Sequence, residues 1–250
     1  MKPTVYLPSM LSIVALAACN SLSSPIISAP RFTTYQAEGD SATVAASLNS
    51  FRAALGGILN APNSPPTDSG RREINWDGVP AAVTNVDTFP LAFFNVNSKR
   101  GVLLSTPGTG LRVDSTDFGV SAQFHAFSPK KLFAAVGSDE VVVDFKLSGT
   151  NTNGLSTGFG VVFSDVDVAG STAVALYDAA GALIANLAAP AKSSADEFSF
   201  IGAVFATPII ARVVITSGNA ALNAPVTDVS AGGTKDLVAM DDFVYGEPRP

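Results

Sequence analysis

The chain has 250 residues, of which 47% are hydrophobic and 14% are charged, and its formal net charge is −6. This much apolar material is typical of a chain with a packed core, which excludes global disorder. The acidic balance, with lysines and arginines scattered along the chain, excludes the basic patch of a nucleic-acid-binding domain. The length suits one large all-β domain preceded by a short N-terminal segment.

The first 18 residues have the pattern of an export signal. Lys2 supplies a positive charge, and the mostly apolar run Val5–Leu16 follows and leads into small residues. This run is shorter than the roughly 20 apolar residues that a transmembrane helix needs, because the polar residues Asn20 and Ser21 come soon after it. We therefore predict that residues 1–18 are a signal peptide.

Cys19 is the only cysteine, and it closes the run Leu16-Ala17-Ala18-Cys19. The run resembles the lipobox of bacterial lipoproteins, which implies a lipid on Cys19 and an anchor in the cell envelope. Asn20 in second place implies sorting to the outer membrane in a diderm bacterium. The alternative is ordinary signal-peptidase cleavage, because Ala15-Leu16-Ala17 also satisfies a small-x-small site. Lipidation of Cys19 would leave no cysteine for a disulfide or for thiolate catalysis.

The next segments are predicted to be a tether and a helix. Residues 19–39 are interpreted as a tether, because Ser, Pro and small residues fill their first part. Residues 41–59 are predicted to form an amphipathic helix, with Asp40 or Ser41 as its N-cap. Its apolar stripe of 3.6-residue period consists of Val44, Leu48, Phe51, Leu55 and Leu59. The proline-rich stretch 61–70 is predicted to be a loop.

From Arg72 onward, short β-prone runs alternate with Gly, Pro, Asn and Asp clusters, which favours an all-β sandwich of jelly-roll type as a single domain over residues 40–248. The predicted strands are Glu73–Trp76, Val102–Ser105, Leu111–Val113, Val120–Phe127, Leu132–Val136, Val141–Ser148, Gly158–Phe163, Thr172–Tyr177, Leu183–Leu187, Phe198–Phe205, Ala211–Thr216 and Leu237–Tyr245.

Three stretches carry a family resemblance: Gly70–Val79, Gly160–Asp167 and Val238–Pro248. Together they resemble a family of secreted bacterial jelly-roll domains, similar in style to those of PEP-CTERM proteins. The resemblance covers residues 42–248 and implies a fold without implying an activity. The chain departs from the PEP-CTERM pattern because no C-terminal membrane segment precedes Pro250, so we expect the lipid on Cys19 to retain the protein at the envelope.

Carboxylates near strand ends are the candidate metal ligands. Calcium takes six to eight oxygen ligands, so carboxylates from distant strands that converge at one edge of a sandwich can bind it. The candidates are Asp165, Asp167 and Asp241, followed by Glu73, Asp77 and Asp242. The alternative is that each Asp only caps its own turn. In a strand, Asp241 and Asp242 point to opposite faces, so one of them needs a partner in an apolar environment.

The remaining candidates are aromatic residues and one histidine. Trp76, Tyr177 and Tyr245 can supply a surface on which a sugar ring stacks, although a lone Trp in a Phe-rich sandwich is more typical of the core. His125 is the only histidine and lies in a predicted strand. A single histidine excludes paired-His zinc sites, and the chain has no GxSxG motif for a serine hydrolase.

These features predict a lipid-anchored envelope protein with a non-enzymatic β-sandwich that binds a glycan, a matrix component or a surface protein, with calcium as a candidate structural ion. One alternative is a polysaccharide or peptidoglycan hydrolase that uses a pair of carboxylates, since the separation of such a pair is a tertiary property. The other alternative is a purely structural component of the envelope. No catalytic residue is assigned.

Overall fold

In the computed structural model, the described residues are Met1, 30–194 and 197–250. Cys19, the predicted signal peptide apart from Met1, and most of the predicted tether lie outside them. Within the described residues, no helix is both long enough and apolar enough to cross a membrane.

The described part of the chain contains two α-helices and twelve strands. The helices are α1 (Ser41–Ala54) and α2 (Phe93–Val96). The strands are β1 (Phe32–Gly39), β2 (Arg71–Ile74), β3 (Val102–Ser105), β4 (Gly110–Asp114), β5 (Leu132–Val136), β6 (Glu140–Phe145), β7 (Gly158–Ser164), β8 (Ala173–Tyr177), β9 (Leu183–Ala188), β10 (Phe198–Phe205), β11 (Arg212–Thr216) and β12 (Ala239–Gly246).

The strands form two antiparallel sheets. The first sheet has seven strands in the order β1-β10-β7-β12-β5-β4, with β2 also paired to β12, and the second has five in the order β3-β6-β11-β8-β9. One apolar core joins them, with Phe159 and Phe163 from the first sheet and Val143 and Val213 from the second. The prediction of an all-β sandwich with an N-terminal helix is confirmed.

Alternation along β6 shows how the sequence builds the second sheet. Val141, Val143 and Phe145 are buried, whereas Val142 and Asp144 between them are partly exposed. Successive side chains of a strand point to opposite faces, so this pattern gives the sheet one core face and one face toward water. The outer face of the second sheet is therefore available to a ligand.

The outer face of the first sheet is covered by α1 instead. Val44, Leu48 and Phe51 of the helix are fully buried against it. Glycines make room for the ring of Phe51, because a Cβ at Gly160 or Gly202 would lie 2.9 Å from that ring. With both faces covered, β7 and β12 are buried along their whole length.

Two boundaries near the N-terminus differ from the prediction. The last eight residues of the predicted tether, 32–39, form β1, which pairs with β10 through Phe32↔Phe205 to Gly39↔Phe198. The predicted helix 41–59 ends at Ala54, because Gly56 and Gly57 have φ values of +114° and +73°. Glycine adopts such values without the cost that a Cβ imposes, so it ends helices readily.

The predicted strand Val120–Phe127 is wrong, because these residues lie in an irregular loop. The Asp114 carboxylate accepts hydrogen bonds from the Thr116 and Phe118 amides at 2.7 and 2.9 Å, which turns the chain before the segment begins. Asp241 holds the other end through the Phe127 amide at 2.6 Å. Side-chain hydrogen bonds thus replace the ladder that the β-prone composition indicated.

A buried ion pair fastens the C-terminal end of β12 to two loops. Arg72 and Glu247 are fully buried and form two hydrogen bonds of 2.5 and 2.8 Å. The Arg72 guanidinium also donates to the backbone carbonyls of Ala61 and Lys99 at 3.0 Å. Asn60 donates to the Glu247 carboxylate at 2.7 Å. The pair is therefore well compensated for its burial.

Candidate functional site

The structure brings a third aspartate, Asp228, to the predicted ligands Asp165 and Asp167. Asp165 lies directly after β7 with φ of +72°, a left-handed conformation in which Asp and Asn are enriched. Asp228 caps the short helical turn 229–231 before β12. One carboxylate oxygen from each of the three residues lies within 4.8 Å of the other two. We call Asp165, Asp167 and Asp228 the aspartate cluster.

Lys192 is the counter-charge of the aspartate cluster. Its ammonium forms an ion pair with Asp165 Oδ1 and lies 3.2 Å from Asp167 Oδ1. The other oxygens, Asp165 Oδ2 and Asp167 Oδ2, are buried and have no hydrogen-bond partner among the described residues. Three carboxylates and one ammonium leave two negative charges, so a divalent cation would balance the cluster.

The titration of these groups reflects their burial. Burial raises the pKa of Asp165 to about 6, against the opposing effect of Lys192. The pKa of Asp167 is raised as well, first by burial and further by the charge of Asp228. Although burial acts against it, the bond to Asp165 raises the pKa of Lys192. Burial thus disfavours the ionised form of both carboxylates even with Lys192 in place.

Asp236 fixes the geometry of the aspartate cluster from behind. Its buried carboxylate accepts hydrogen bonds from the amides of Asp167 and Val168 at 3.1 and 3.0 Å, and from the Ser171 hydroxyl. These bonds hold the loop after β7 in the shape that turns Asp165 and Asp167 toward Asp228. Such outer partners orient the ligands of metal sites in proteins.

The aspartate cluster can hold a metal ion. Its donors are hard carboxylate oxygens, and ligands on opposite sides of a calcium ion are about 4.8 Å apart. The separation of the three oxygens, within 4.8 Å, fits this limit. The sequence flagged Asp165 and Asp167 but not Asp228, Asp236 or Lys192. Each of these three lies in a loop without a local motif, so no sequence signal singles it out.

The structure places the other predicted ligands elsewhere. Asp241 and Asp242 occupy a β-bulge, where the pairing of β12 with β7 shifts by one residue between Met240 and Phe243. The Asp241 carboxylate accepts from the amides of Phe127 and Ser128 at 2.6 and 3.1 Å and from the Ser128 hydroxyl at 2.8 Å. These bonds make Asp241 a structural anchor for the loop before β5.

Asp242 and Glu73 lie under α1 around Arg52. Arg52 forms an ion pair with Glu73 at 2.8 Å and with Asp242 Oδ2 at 3.4 Å. Asp242 Oδ1 is buried without a hydrogen-bond partner within the described part of the chain. Burial raises the pKa of Asp242, and burial together with the neighbouring Asp242 raises that of Asp241 well above its ordinary value. Arg52 therefore supplies the positive charge that a metal ion would otherwise provide at these carboxylates.

Asp77 lies in the loop after β2, apart from the aspartate cluster and from the group formed by Glu73, Asp241 and Asp242. Burial raises its pKa against the attraction of Lys131, whose ammonium donates to the backbone carbonyls of Asp77 and Val79 at 3.2 and 2.5 Å. The six predicted ligands therefore divide among three places in the fold.

Two of the three predicted stacking residues belong to the core. Trp76 is 1% exposed, stacks on Phe133 at 3.9 Å between ring centroids, and donates its indole N–H to the Asp241 carbonyl at 2.8 Å. Tyr245 is fully buried and donates its hydroxyl to the Arg100 carbonyl at 2.9 Å. Neither ring offers an exposed face to a sugar, so the prediction of a shared stacking surface is corrected for both.

Tyr177 differs, because it lines an open groove at the second sheet. The groove has a volume of about 720 Å³ and crosses β6, β8 and β11. Its polar side chains include Asp144 and Arg212, which pair at 2.7 Å, and Lys146, which donates to Asn153. Asp178 also lines it and accepts from the amides of its own turn. Both groove carboxylates are thus engaged in contacts within the protein.

His125 lies in the loop before β5 and not in a strand. Its backbone amide donates to the Ser164 hydroxyl at 3.0 Å, next to the aspartate cluster.

Comparisons of the chain with models of known families, with curated proteins and with solved structures found no match. The likeness to secreted jelly-roll domains therefore stays a prediction.

Proposed function

We propose that the chain is an exported, lipid-anchored β-sandwich that binds a neutral glycan in the groove of the second sheet and carries a structural calcium ion in the aspartate cluster. The observation that carries the glycan proposal is the open groove of about 720 Å³ beside Tyr177. This volume lies within the range of roughly 300–1,000 Å³ that is usual for small-molecule sites.

The chemistry of the groove favours a neutral, polyhydroxylated ligand. Arg212 and Asp144 neutralise each other and present a planar array of donors and acceptors at the surface. Tyr177 is partly exposed and can place its ring against the C–H face of a sugar while its hydroxyl stays hydrated. With opposite charges paired inside the groove, a charged ligand gains less than one that donates and accepts hydrogen bonds.

The chemistry of the aspartate cluster favours calcium over other ions. All its donors are oxygens, which suits hard cations, whereas zinc and copper prefer nitrogen or sulfur ligands. Magnesium demands near-ideal octahedral geometry and keeps several waters, whereas calcium accepts the irregular donor sets that loops supply. The ligands we assign are the Asp165 and Asp167 oxygens that have no hydrogen-bond partner among the described residues, with Asp228 as the third.

The lipid anchor rests on Cys19 and the run before it. In this proposal, Cys19 carries the acyl chains that hold the protein at the membrane. A Cys19→Ser variant loses this attachment point, so it should leave the membrane fraction while keeping its fold. Fractionation of cells that express the full chain measures this, with circular dichroism as the check on folding. A variant that stays in the membrane fraction contradicts the anchor.

The glycan proposal is tested with an array of neutral oligosaccharides, followed by calorimetry with the glycan that is retained best. We expect Tyr177→Ala and Arg212→Ala to weaken binding at least about tenfold, whereas Tyr177→Phe keeps the ring and most of the affinity. Arg31→Ala, which changes an exposed arginine outside the groove, is the control. Retention of no glycan, or affinities that ignore Tyr177→Ala, would overturn the proposal.

A further inference from the structure

A second cavity lies between the loop after β2 and the segment around α2. It is partly open and has a volume of about 460 Å³. Three aromatic residues contribute to its lining, and Asn75, Asn97 and Ser98 add polar groups at its rim. The aromatic residues are Trp76, Phe93 and Phe94, and Phe93 is the most exposed of them, at 9%. We call this cavity the aromatic pocket.

Arg100 is the one charged residue that lines the aromatic pocket, as far as the described residues go. Its guanidinium carbon lies 5.5 Å from the centroid of the Phe94 ring, and its side chain donates to the Ser98 hydroxyl. No carboxylate among the described residues lies within ion-pair distance of it. A half-buried cation therefore faces the pocket without a counter-ion.

This arrangement differs from that of two other shielded arginines, Arg72 and Arg112. Arg72 is fully buried and holds Glu247, and Arg112 holds both Asp87 and Asp114. Taking a charge out of water is unfavourable unless an opposite charge or a full set of hydrogen bonds compensates for it. Among the described residues, the partners of the Arg100 guanidinium are the Ser98 hydroxyl and the face of the Phe94 ring. Consistent with this, burial lowers the pKa of Arg100.

The missing counter-ion identifies the ligand chemistry. We propose that the aromatic pocket binds a small carboxylate with a flat apolar body, whose carboxylate pairs with Arg100 and whose body packs against Pro62, Pro80 and the accessible part of Phe93. Arginine suits this role because its planar fork binds a carboxylate through two parallel hydrogen bonds. The apolar part of the lining removes the body from water and strengthens the ion pair by excluding solvent.

This site is independent of the glycan groove and of the aspartate cluster, since it shares no lining residue with either. Failure of either earlier proposal would leave it unchanged. Trp76 is the only tryptophan of the chain and is among the residues that line this pocket, so its fluorescence can serve as a readout of binding there.

The test is a titration of the full chain with benzoate, with Trp76 emission as the readout and benzamide as the neutral control of matched shape. For a ligand of this size we expect saturation with a Kd on the order of 1 mM, and binding of benzamide at least about tenfold weaker. Saturable binding of benzoate and benzamide with equal affinity would overturn the proposal, as would the absence of any saturable response to benzoate.

Variants locate the binding. Arg100→Gln should weaken benzoate at least about tenfold, and Arg100→Lys should fall between it and the native chain, because lysine keeps the charge and loses the fork. Arg31→Gln removes an exposed arginine elsewhere and should bind as the native chain does. Since Arg100→Gln removes an uncompensated charge, its Tm should not fall. Unchanged benzoate affinity in Arg100→Gln contradicts the assignment.

Discussion

At the scale of single residues, stability is concentrated where buried charges meet. Arg72 and Glu247 are each almost fully shielded, and the Arg72 guanidinium satisfies both the carboxylate and several carbonyls of the surrounding loops. The pair on the second sheet, Arg212 with Asp144, has similar geometry but is 55% and 32% exposed. The exposure of each pair, and not its number of hydrogen bonds, determines how much unfolding free energy is lost when the pair is broken.

We expect Arg72→Met to lower the free energy of unfolding by about 3–5 kcal/mol, because it leaves the Glu247 charge buried and uncompensated. Arg212→Met, the matched exposed pair, should cost about 0–1 kcal/mol. Urea unfolding followed by circular dichroism measures both. Equal losses in the two variants would contradict the role assigned to burial.

The contribution of Asp242 to the stability of the fold depends on pH. Its raised pKa means that the folded state holds a proton that the unfolded state has released, over the range from its ordinary value of 3.8 up to the raised one. Stability from this group is therefore present at low pH and is lost as pH rises through that range. Arg52, Glu73 and Asp241 are the charged groups that face it.

We expect Asp242→Asn to match the native chain near pH 4 and to exceed its stability near pH 8, because the amide carries no charge to bury. Asp114→Asn should show the opposite sign. Although burial acts against it, hydrogen bonds from Phe118 and Thr116 lower the pKa of Asp114, so its carboxylate stabilises the fold above pH 3.8. Thermal unfolding across pH measures both variants, and parallel profiles for the two would refute this reasoning.

At the scale of elements, local patterns predicted what local forces determine. The stripe of Val44, Leu48 and Phe51 predicted α1 because a helix buries residues three and four apart on one face. The segment 120–127 was predicted wrongly because carboxylates 6 and 114 residues away in sequence shape its ends, Asp114 before it and Asp241 after it. A short window of sequence around residues 120–127 does not include Asp241.

The candidate site shows the same division. Asp165 and Asp167 follow an apolar strand and were visible in the sequence, whereas Asp228 joins them only through the packing of the loop before β12. Read alone, Asp228 is an ordinary turn cap, since it accepts from the Ser230 amide at 2.7 Å. Convergence of distant loops is a property of the folded chain, so the pairing of ligands lay beyond pattern analysis.

β1 provides a test at the scale of one element. It protects the edge of β10 over eight residue pairs, and its Tyr35 ring lies 5.6 Å from that of Phe51 in α1. A chain that begins at Asp40 would expose this edge of the first sheet, and unpaired edges promote association between chains. We expect it to have a lower Tm and to form oligomers in size-exclusion chromatography, unlike a control that begins at Pro30. A stable monomer would contradict this role of β1.

At the scale of the whole molecule, the sandwich is fastened at separate places by charges. The chain has one cysteine, so no disulfide within the chain can join its loops. The Arg72–Glu247 pair ties the end of β12 to the loops beside β2, and the aspartate cluster ties the loop after β7 to the loop before β12. Calcium in the cluster would link those two loops more strongly than Lys192 does, because it carries two charges and accepts six or more ligands.

Calcium should therefore stabilise the whole fold and not only its site. A ligand that binds only the folded state at about 100 times its Kd adds about 2.7 kcal/mol, which raises the Tm of a domain of this size by several degrees. We expect this rise when calcium replaces EDTA in a thermal scan, and a smaller one with magnesium. Asp228→Asn should abolish the response, whereas Asp144→Asn, which changes an aspartate in the groove, should retain it. Equal Tm values in calcium and EDTA for the native chain would exclude the ion from the aspartate cluster.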